Sequence, residues 1–357
     1  RASATEIDSL GGEMNAFTSQ ESTTYYVKVL DEHLALAVEI LADILLGSKF
    51  DPADMEKERK VILEEIKGVE DTPDDHIHEL FTATVWQGNA LGRPILGTRD
   101  TIKALNHTDI LHYIENYYGP REIVISVAGN FEHGRLLELL EDAFGRLKRT
   151  GIPKKEIAPS FTQAITVRKK QLEQVQVCLG CSGIPYTHED RFVILALNTV
   201  LGNSMSSRLF QEVREQNALA YSIYSYVTAY RDTGLLTIYA GTDPTNTVQA
   251  IQLIMKELRK IKEDGITAAE ETRVKNQIKG NLVLSLESSN SHMSRIARQE
   301  IYFGKYLSVD DVIKGVDSVT REQVLRLARQ LFVSGNVSLS ILGPLTKADL
   351  PERLLEI

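Results

Sequence analysis

Two glutamates, Glu58 and Glu65, stand seven residues apart in a segment whose pattern predicts a helix. An α-helix turns about 100° per residue, so side chains at this spacing project from one face. The helix is expected to begin at Asp51, an N-cap residue followed by proline, and to end near Asp71. Two inward carboxylates on one face would suit a bound cation. The same spacing also occurs on ordinary solvated faces.

The histidines do not complete a metal site by their spacing, because no two of the eight are four residues apart. His76 and His78 are two apart on a predicted helix, so their side chains point about 200° away from each other. Each is expected to be an exposed or capping residue. His107 and His112 have the same interpretation.

Two cysteines, Cys178 and Cys181, form a Cys-Leu-Gly-Cys segment without a second pair that could complete a four-thiolate site. On a strand, positions three apart point to opposite faces, which excludes a shared metal. We therefore predict two small buried side chains rather than a redox pair. Free thiols of this kind are typical of a reducing compartment.

The length of 357 residues and the hydrophobic content of 43% predict two domains with sizeable cores. The net charge of -9 argues against nucleic acid or an anionic membrane as partner, since both need a basic surface. The printed sequence contains no apolar run of about 18 residues or more, and residues 1–20 do not show the basic-then-apolar pattern of an export signal. The chain begins with Arg1 and opens directly into helical sequence, so we expect the natural start to lie upstream.

The order of patterns suggests two similar halves. A hairpin is expected at residues 13–18 and 23–30, helices follow, and residues 122–128 read as an apolar strand. A polar, basic stretch around residues 148–160 predicts a linker. We place an N-terminal domain at residues 1–150, the linker at 151–160 and a C-terminal domain at 161–357.

The second half repeats the plan of the first, and residues 267–280 weakly echo the glutamate helix. Val274 and Asn281 stand where the first half has Glu58 and Glu65. If the chain arose by duplication, only the first copy keeps the carboxylates.

Several ordered segments resemble the pitrilysin/insulinase family of zinc peptidases, the inverted zincins, and most closely the mitochondrial processing peptidase beta subunit and its bacterial single-unit relatives. The segments cover nearly the whole chain. They lie at residues 10–19, 58–66, 91–97, 127–130 and 206–210. The resemblance implies an α+β fold of two homologous halves, each an antiparallel sheet covered by helices, that clamp a peptide-binding chamber.

The resemblance also implies a zinc ion held by a His-x-x-Glu-His helix and by a distal glutamate, which falls on Glu65. Glu58 matches an additional acidic residue that orients a ligand. Zinc takes such ligands at about 2.0 to 2.2 Å, and the motif's glutamate acts as general base on a bound water. No His-x-x-Glu-His occurs in this sequence. We expect it upstream of residue 1; the other reading is a natural remnant without zinc.

On the substrate side, the resemblance implies that Arg214 holds a substrate carbonyl and that Tyr221 stabilises the developing oxyanion. Loss of one such donor costs about 3 to 4 kcal/mol in a well-organised site. A purely structural role for both is the alternative. An exposed strand edge would take an extended peptide as an added strand. The residues of this edge are Met14, Asn15, Ala16, Phe17 and Thr18.

The sequence therefore predicts a zinc-dependent metalloendopeptidase that cleaves extended or unfolded peptides, including basic presequences, and that is active only together with the absent histidine helix. The alternative is a non-catalytic partner subunit or peptide-binding homologue without zinc. A helical scaffold without a groove is a third reading. The expected location is the bacterial cytoplasm, with the mitochondrial matrix as the alternative. A homodimer is implied by the resemblance alone.

Overall fold

The computed structural model describes residues 2–147 and 157–357. These divide into two compact units. Unit 1 comprises the described residues of Arg1–Ile66, Ile95–Glu156 and Ser285–Tyr306. Unit 2 comprises the described residues of Lys67–Pro94, Ile157–Leu284 and Leu307–Ile357.

Helices dominate the described part of the chain. In chain order they are α1 Ala2–Ser9, α2 Leu34–Leu46, α3 Pro52–Asp71, α4 Pro73–Val85, α5 Arg99–Ala104, α6 His107–Tyr117, α7 His133–Phe144, α8 Arg191–Leu201, α9 Thr247–Asp264, α10 Ala268–Ser285, α11 Ser289–Phe303, α12 Val309–Asp317 and α13 Arg321–Leu331. The strands are β1 Glu13–Thr18, β2 Thr23–Lys28, β3 Ile165–Lys169, β4 Val175–Ser182, β5 Ala220–Ala229, β6 Gly234–Thr242 and β7 Val337–Gly343.

Unit 1 contains a two-stranded antiparallel sheet, in which β1 and β2 pair from Glu13 opposite Lys28 to Thr18 opposite Thr23. This confirms the predicted hairpin. The strand predicted at residues 122–128 is wrong, because residues 123–128 are irregular. A strand needs a neighbour for its backbone hydrogen bonds, and β1 and β2 are the two strands of the described part of unit 1 and pair with each other. Val124 is 40% exposed there.

Unit 1 also includes α11, which comes from the second half of the sequence. The Ser126 hydroxyl donates a hydrogen bond to the Met293 carbonyl oxygen at 2.9 Å. The Tyr302 hydroxyl donates to the Glu21 carboxylate at 2.6 Å. Unit 1 is therefore built from both halves of the chain.

Unit 2 contains a five-stranded sheet in the order β3-β7-β4-β6-β5. All pairs are antiparallel except β3 with β7, which is parallel. The sheet is therefore mainly antiparallel, as predicted, and the parallel pair of β3 with β7 is the exception. The reason is that β7 inserts between the consecutive strands β3 and β4, which run in opposite directions, and pairs antiparallel with β4.

The unit 2 sheet is covered on both faces. Alternate residues of β4, β6 and β7, such as Leu179, pack with α8, α9 and α13 in one core. The residues between them, such as Cys178, pack with α4 on the other face. Cys178 and Cys181 are free thiols that are 0% and 2% exposed and belong to these opposite faces. The prediction of two buried, unlinked cysteines is confirmed.

Helix α4, from the first half of the sequence, lies on the second face of this sheet, where Phe81 is 1% exposed. Its close approach depends on Gly180, since an added Cβ would lie 2.6 Å from the Leu236 carbonyl oxygen and 2.9 Å from Phe81 Cζ. The division into compact units thus differs from the predicted division at residues 151–160, most of which lie outside the described residues. Within residues 2–147 and 157–357, no helix is long and apolar enough to cross a bilayer.

Candidate functional site

The glutamate helix α3 begins as the sequence predicts. The Asp51 carboxylate accepts hydrogen bonds from the backbone N–H groups of Ala53 at 2.8 Å and Asp54 at 3.4 Å. Glu58 and Glu65 are both exposed, and Ile66 is the one buried residue of the helix. The expectation of inward, buried carboxylates is therefore wrong for the described structure, because one narrow stripe of α3 packs while the rest faces solvent.

Arg59, next to Glu58, fixes α3 within unit 1. Its guanidinium donates to the backbone carbonyl oxygens of Ile102 and, at 2.8 Å, of Leu105. It also forms an ion pair with Glu56 at 3.0 Å on the same helix. These bonds anchor α3 beside α5 and leave the glutamate side chains free to reach a ligand.

Catalytic zinc sites use three side-chain ligands and keep a further position for water. Glu65 supplies one carboxylate. Residues 2–147 and 157–357 contain no group of three or more His, Cys, Asp or Glu side chains that could hold a metal ion. The described residues by themselves therefore do not fit a zinc ion, and we derive no chemical step through one.

Strand β1 has the open edge that the sequence predicts. One edge pairs with β2, and no other strand of the described residues pairs with the opposite edge. Asn15, Ala16, Phe17 and Thr18 are exposed, and Met14 is half-buried. Such an edge presents unpaired backbone groups to an extended chain. Whether a peptide binds there stays a prediction.

Arg214 and Tyr221 lie in unit 2, at the surface. Arg214 is part of a π-helix, Phe210–Gln216, and its guanidinium carbon lies 4.8 Å from the centre of the Phe210 ring. Its side chain is 44% exposed, and its Nε lies 3.8 Å from the Glu215 carboxylate. Tyr221 is 78% exposed. Both side chains can therefore reach a ligand in solution.

The backbone between these two residues is irregular in three ways. The π-helix itself is rare, Ala218 has a left-handed φ of 49°, and the register of β5 shifts between Ala220 and Ser222, on either side of Tyr221. π-turns, left-handed non-glycine residues and β-bulges concentrate at functional sites, where they re-aim side chains. This local geometry supports a functional rather than a purely structural role for the pair.

The sequence missed a cluster around His78 in unit 2. Its Nδ1 lies 2.7 Å from the Tyr226 hydroxyl and its Nε2 lies 3.2 Å from the Tyr224 hydroxyl. The imidazole and Tyr239 ring centres are 5.3 Å apart, and Cys178 Sγ lies 3.4 Å from Nδ1. Burial lowers the pKa of His78, against the opposing effect of Asp75 and Asp74. The neutral imidazole is thus a hydrogen-bond partner on the sheet.

His76 is buried on the same helix, where its Nε2 accepts a hydrogen bond from the Arg168 guanidinium at 2.9 Å. Burial lowers the pKa of His76, and the positive charges of Arg168 and Lys170 lower it further. The prediction of exposed or capping residues is wrong for His76 and His78, because α4 lies on the sheet. The sequence does show that Tyr224 and Tyr226 are two residues apart on a predicted strand and share one face. It does not show the cross-strand register that places Tyr239 beside them.

Comparison with known proteins places this chain among peptidase sequences. A family model described as "Insulinase (Peptidase family M16)" matches residues 1–99, and one described as "Peptidase M16 inactive domain" matches residues 104–278. The uncharacterized zinc protease YmxG of Bacillus subtilis is 44% identical over 348 residues, which cover 96% of this chain and 84% of that protein. An uncharacterized zinc protease of Streptomyces coelicolor is 40% identical, covering 95% of this chain and 75% of that protein.

Solved structures share the fold at lower identity. A Helicobacter pylori protease superposes with a TM-score of 0.88 at 23% identity, covering 96% of this chain and 84% of its own. A peptidase M16 inactive domain from Pseudomonas fluorescens gives a TM-score of 0.90 at 16% identity, covering 97% and 84%. At these identities the likeness concerns the fold alone, and it agrees with the predicted α+β class.

Proposed function

Since this chain belongs to the insulinase family, peptidase family M16, we propose that it takes part in zinc-dependent cleavage of extended or unfolded peptides, including presequences, as an endopeptidase. The observation that carries the proposal is the 44% and 40% identity, over almost the whole chain, to proteins named zinc proteases.

The open edge of β1 supports the choice of extended peptides as substrates. A peptide added along this edge would bind through its backbone, so the site would accept many sequences. Phe17, 52% exposed, would contact the added strand's side chains. Folded proteins cannot offer a free strand of this kind without unfolding locally.

In this proposal Glu65 is the zinc ligand and Glu58 orients the metal site. A zinc ion completed by such outside ligands would supply Lewis-acid chemistry to a bound peptide carbonyl and to water. The printed sequence contains no His-x-x-Glu-His, so the proposal requires two imidazoles and a general base from outside it. Both glutamates are exposed and can be reached by such a segment.

Arg214 and Tyr221 would act on the substrate. The guanidinium would donate hydrogen bonds to a peptide carbonyl and hold the chain in place, while the phenol O–H would donate to the oxyanion as it forms. Their exposure and the irregular backbone that carries them support these roles.

A non-catalytic partner subunit or peptide-binding homologue without zinc is the second candidate. The family description "inactive domain" for residues 104–278 favours it. In that case β1 would still bind extended peptides, but Glu65 would have no metal to hold.

Elemental analysis of the protein made from its complete reading frame separates the two candidates. The peptidase predicts about one zinc per chain, lost in Glu65→Gln and retained in Glu64→Gln, a charge-matched neighbour on the same helix. It also predicts zinc-dependent cleavage of an unfolded, fluorogenic presequence peptide. A wild-type protein without zinc at micromolar supply, and without cleavage, would favour the non-catalytic subunit.

We further propose that the protein works in the bacterial cytoplasm, because the relatives described above are bacterial and both cysteines are free thiols. The mitochondrial matrix is the alternative. Subcellular fractionation tests the location. Pairing with a second copy stays a prediction, which sedimentation of the purified protein at several concentrations would test.

A further inference from the structure

We propose that the ion pair between Arg208 and Glu270 positions Arg214 for peptide hydrolysis. This inference rests on the proposed function. The pair is bidentate: Arg208 Nε donates to one Glu270 carboxylate oxygen at 2.8 Å, and Nη2 donates to the other at 2.9 Å. The side chains are only 18% and 13% exposed. A bidentate pair fixes orientation as well as distance.

The ion pair joins two defined backbone points. Arg208 lies two residues before the π-helical segment Phe210–Gln216 that carries Arg214, and its Nη2 also donates to the Gly265 carbonyl oxygen at 3.0 Å. Glu270 lies in the first turn of α10, where its carboxylate accepts from the Thr267 backbone N–H at 2.8 Å. The start of the π-helical segment is thereby tied to the start of α10.

The pair is charged at neutral pH. Burial raises the pKa of Glu270, but hydrogen bonds from Arg208 and from the Thr267 backbone outweigh it and lower the pKa to about 2. The restraint on the π-helical segment is therefore present at neutral pH.

The π-helical segment is packed on one side and open on the other. Val213 within the segment and Leu209 just before it are fully buried in the unit 2 core. The opposite, polar side borders a cavity of about 280 Å³ whose edge includes the ion pair. The other lining residues are Ser206, Ser207, Gln211, Glu212, Glu257, Lys260 and Arg273. Because the cavity supplies no packed atoms, the ion pair restrains the segment on this side.

Arg214 has weak restraints of its own. Its guanidinium lies 4.8 Å from the centre of the Phe210 ring and 3.8 Å from the Glu215 carboxylate, and both partners belong to the same segment. The direction of its guanidinium therefore follows the backbone of residues 208–216. A shift of that backbone by about 1 Å is enough to cost up to about 100-fold in rate at a catalytic centre.

Lys275 and Glu271 provide a matched control. They form an ion pair of 2.7 Å on the same helix as Glu270, with side chains that are 18% and 22% exposed. Neither residue lines the cavity or contacts the π-helical segment in the interactions described here. Lys275→Met removes a comparable ion pair and leaves the Arg208–Glu270 pair and the π-helical segment unchanged in sequence.

The first measurement is amide hydrogen exchange in residues 209–221, which needs no enzymatic activity. Arg208→Met should raise exchange in this stretch by about tenfold or more. Arg208→Lys should act in the same direction, because lysine keeps the positive charge but cannot form the bidentate pair with Glu270. Lys275→Met should leave it unchanged. Equal exchange in Arg208→Met and wild type would overturn the inference, even if the wild-type protein proved inactive and the proposed function failed.

The second measurement is a double-mutant cycle on kcat/KM for peptide cleavage. Arg208→Lys should lower kcat/KM by about 10-fold to 100-fold in the wild-type background and have little further effect in Arg214→Ala, because Arg208 acts through Arg214. If the wild-type enzyme is active and Arg208→Lys lowers kcat/KM by the same factor in the wild-type and Arg214→Ala backgrounds, Arg208 and Glu270 would have a role in stability alone. Glu270→Asp should recover part of the activity that Glu270→Ala loses.

Discussion

At the scale of single residues, the side chains that the sequence singled out are surface groups. Glu58, Glu65 and Tyr221 are exposed, and Arg214 is close to half exposed. The expectation that Glu65 faces inward was wrong for the described structure, but an exposed carboxylate can still bind a ligand, because it gains its partner only when the ligand arrives. Exposure alone does not assign a role, so the tests must measure chemistry or binding.

Tyr221→Phe should lower kcat for peptide cleavage by about 100-fold to 1000-fold, with a smaller change in KM, because the lost O–H would act on the oxyanion. Steady-state kinetics on a fluorogenic peptide measure this. Tyr113→Phe, at another exposed tyrosine that is 56% exposed, should leave kcat unchanged. Equal kcat values for Tyr221→Phe and wild type would remove Tyr221 from the catalytic scheme.

His76 gives a prediction about pH. Its pKa is lowered in the folded protein, so below the unfolded-state pKa of about 6.5 the unfolded chain binds a proton that the native imidazole resists. The free energy of unfolding should therefore fall as pH drops through this value, until the native pKa is reached. Well above about pH 6.5 the imidazole of His76 is neutral in both states, so its titration does not change the free energy of unfolding.

Urea unfolding at several pH values between about 7.5 and about 5 tests the His76 prediction, because this range lies on both sides of the ordinary histidine pKa of about 6.5. His76→Gln should reduce the pH dependence, while His112→Gln, at an exposed histidine, serves as the control. Some dependence should remain, because burial also lowers the pKa of His78. An identical slope for His76→Gln and wild type would contradict the assignment.

At the scale of elements, the residues proposed to contact substrate lie on irregular or edge segments, while the residues that form the core lie on regular helices and strands. The residues proposed to touch substrate lie on an open strand edge and on a π-helix followed by a bulged strand. The regular elements, α4 among them, fill the core: Ile77, Phe81 and Val85 are at most 1% exposed. Regular helices and strands satisfy their own hydrogen bonds, so irregular segments are the places where side chains can be aimed freely.

Gly180→Ala should destabilise the protein by about 1 to 3 kcal/mol, because the new methyl would collide with backbone as well as with Phe81. Gly280→Ala, in α10 with no atom within 4 Å of its added Cβ, should instead stabilise by about 1 kcal/mol. Denaturant unfolding of both variants measures the contrast. Two stabilising substitutions would mean that α4 does not lie against β4 in solution.

At the scale of the whole molecule, each compact unit contains chain from both halves of the sequence. Unit 1 takes residues 285–306 from the second half, and unit 2 takes residues 67–94 from the first. If one half of the sequence is isolated, it therefore lacks a helix that the other half contributes to its compact unit. The predicted domains 1–150 and 161–357 divide the chain near one point of the sequence, whereas each compact unit includes chain from both sides of that point.

A specific protease site introduced between residues 147 and 157 tests this arrangement. After cleavage the two fragments should co-elute in size-exclusion chromatography and separate in denaturant, because α4 and α11 complete the other fragment's unit. Fully burying one large apolar side chain is worth about 1.5 to 3 kcal/mol, and α4 buries several. Fragments that separate under native conditions would show that the halves fold independently.

The sequence by itself determined the local elements and the family of this protein. Alternation of apolar residues gave the β1–β2 hairpin, the Asp51 cap gave the start of α3, and strand spacing gave the opposed cysteines. Ordered motifs identified an α+β insulinase-family chain. The hairpin, the helix start and the opposed cysteines depend on residues close together in sequence, where side-chain period and capping act directly.

Only the tertiary structure decided which helix covers which sheet. It placed His78 among tyrosines from two strands, exposed Glu65, left residues 123–128 without a partner strand and tied Arg208 to Glu270 across 62 positions of sequence. Strand register and helix docking depend on surfaces brought together from distant parts of the chain. No local pattern records those pairings, because their free energy arises only when both surfaces are buried together.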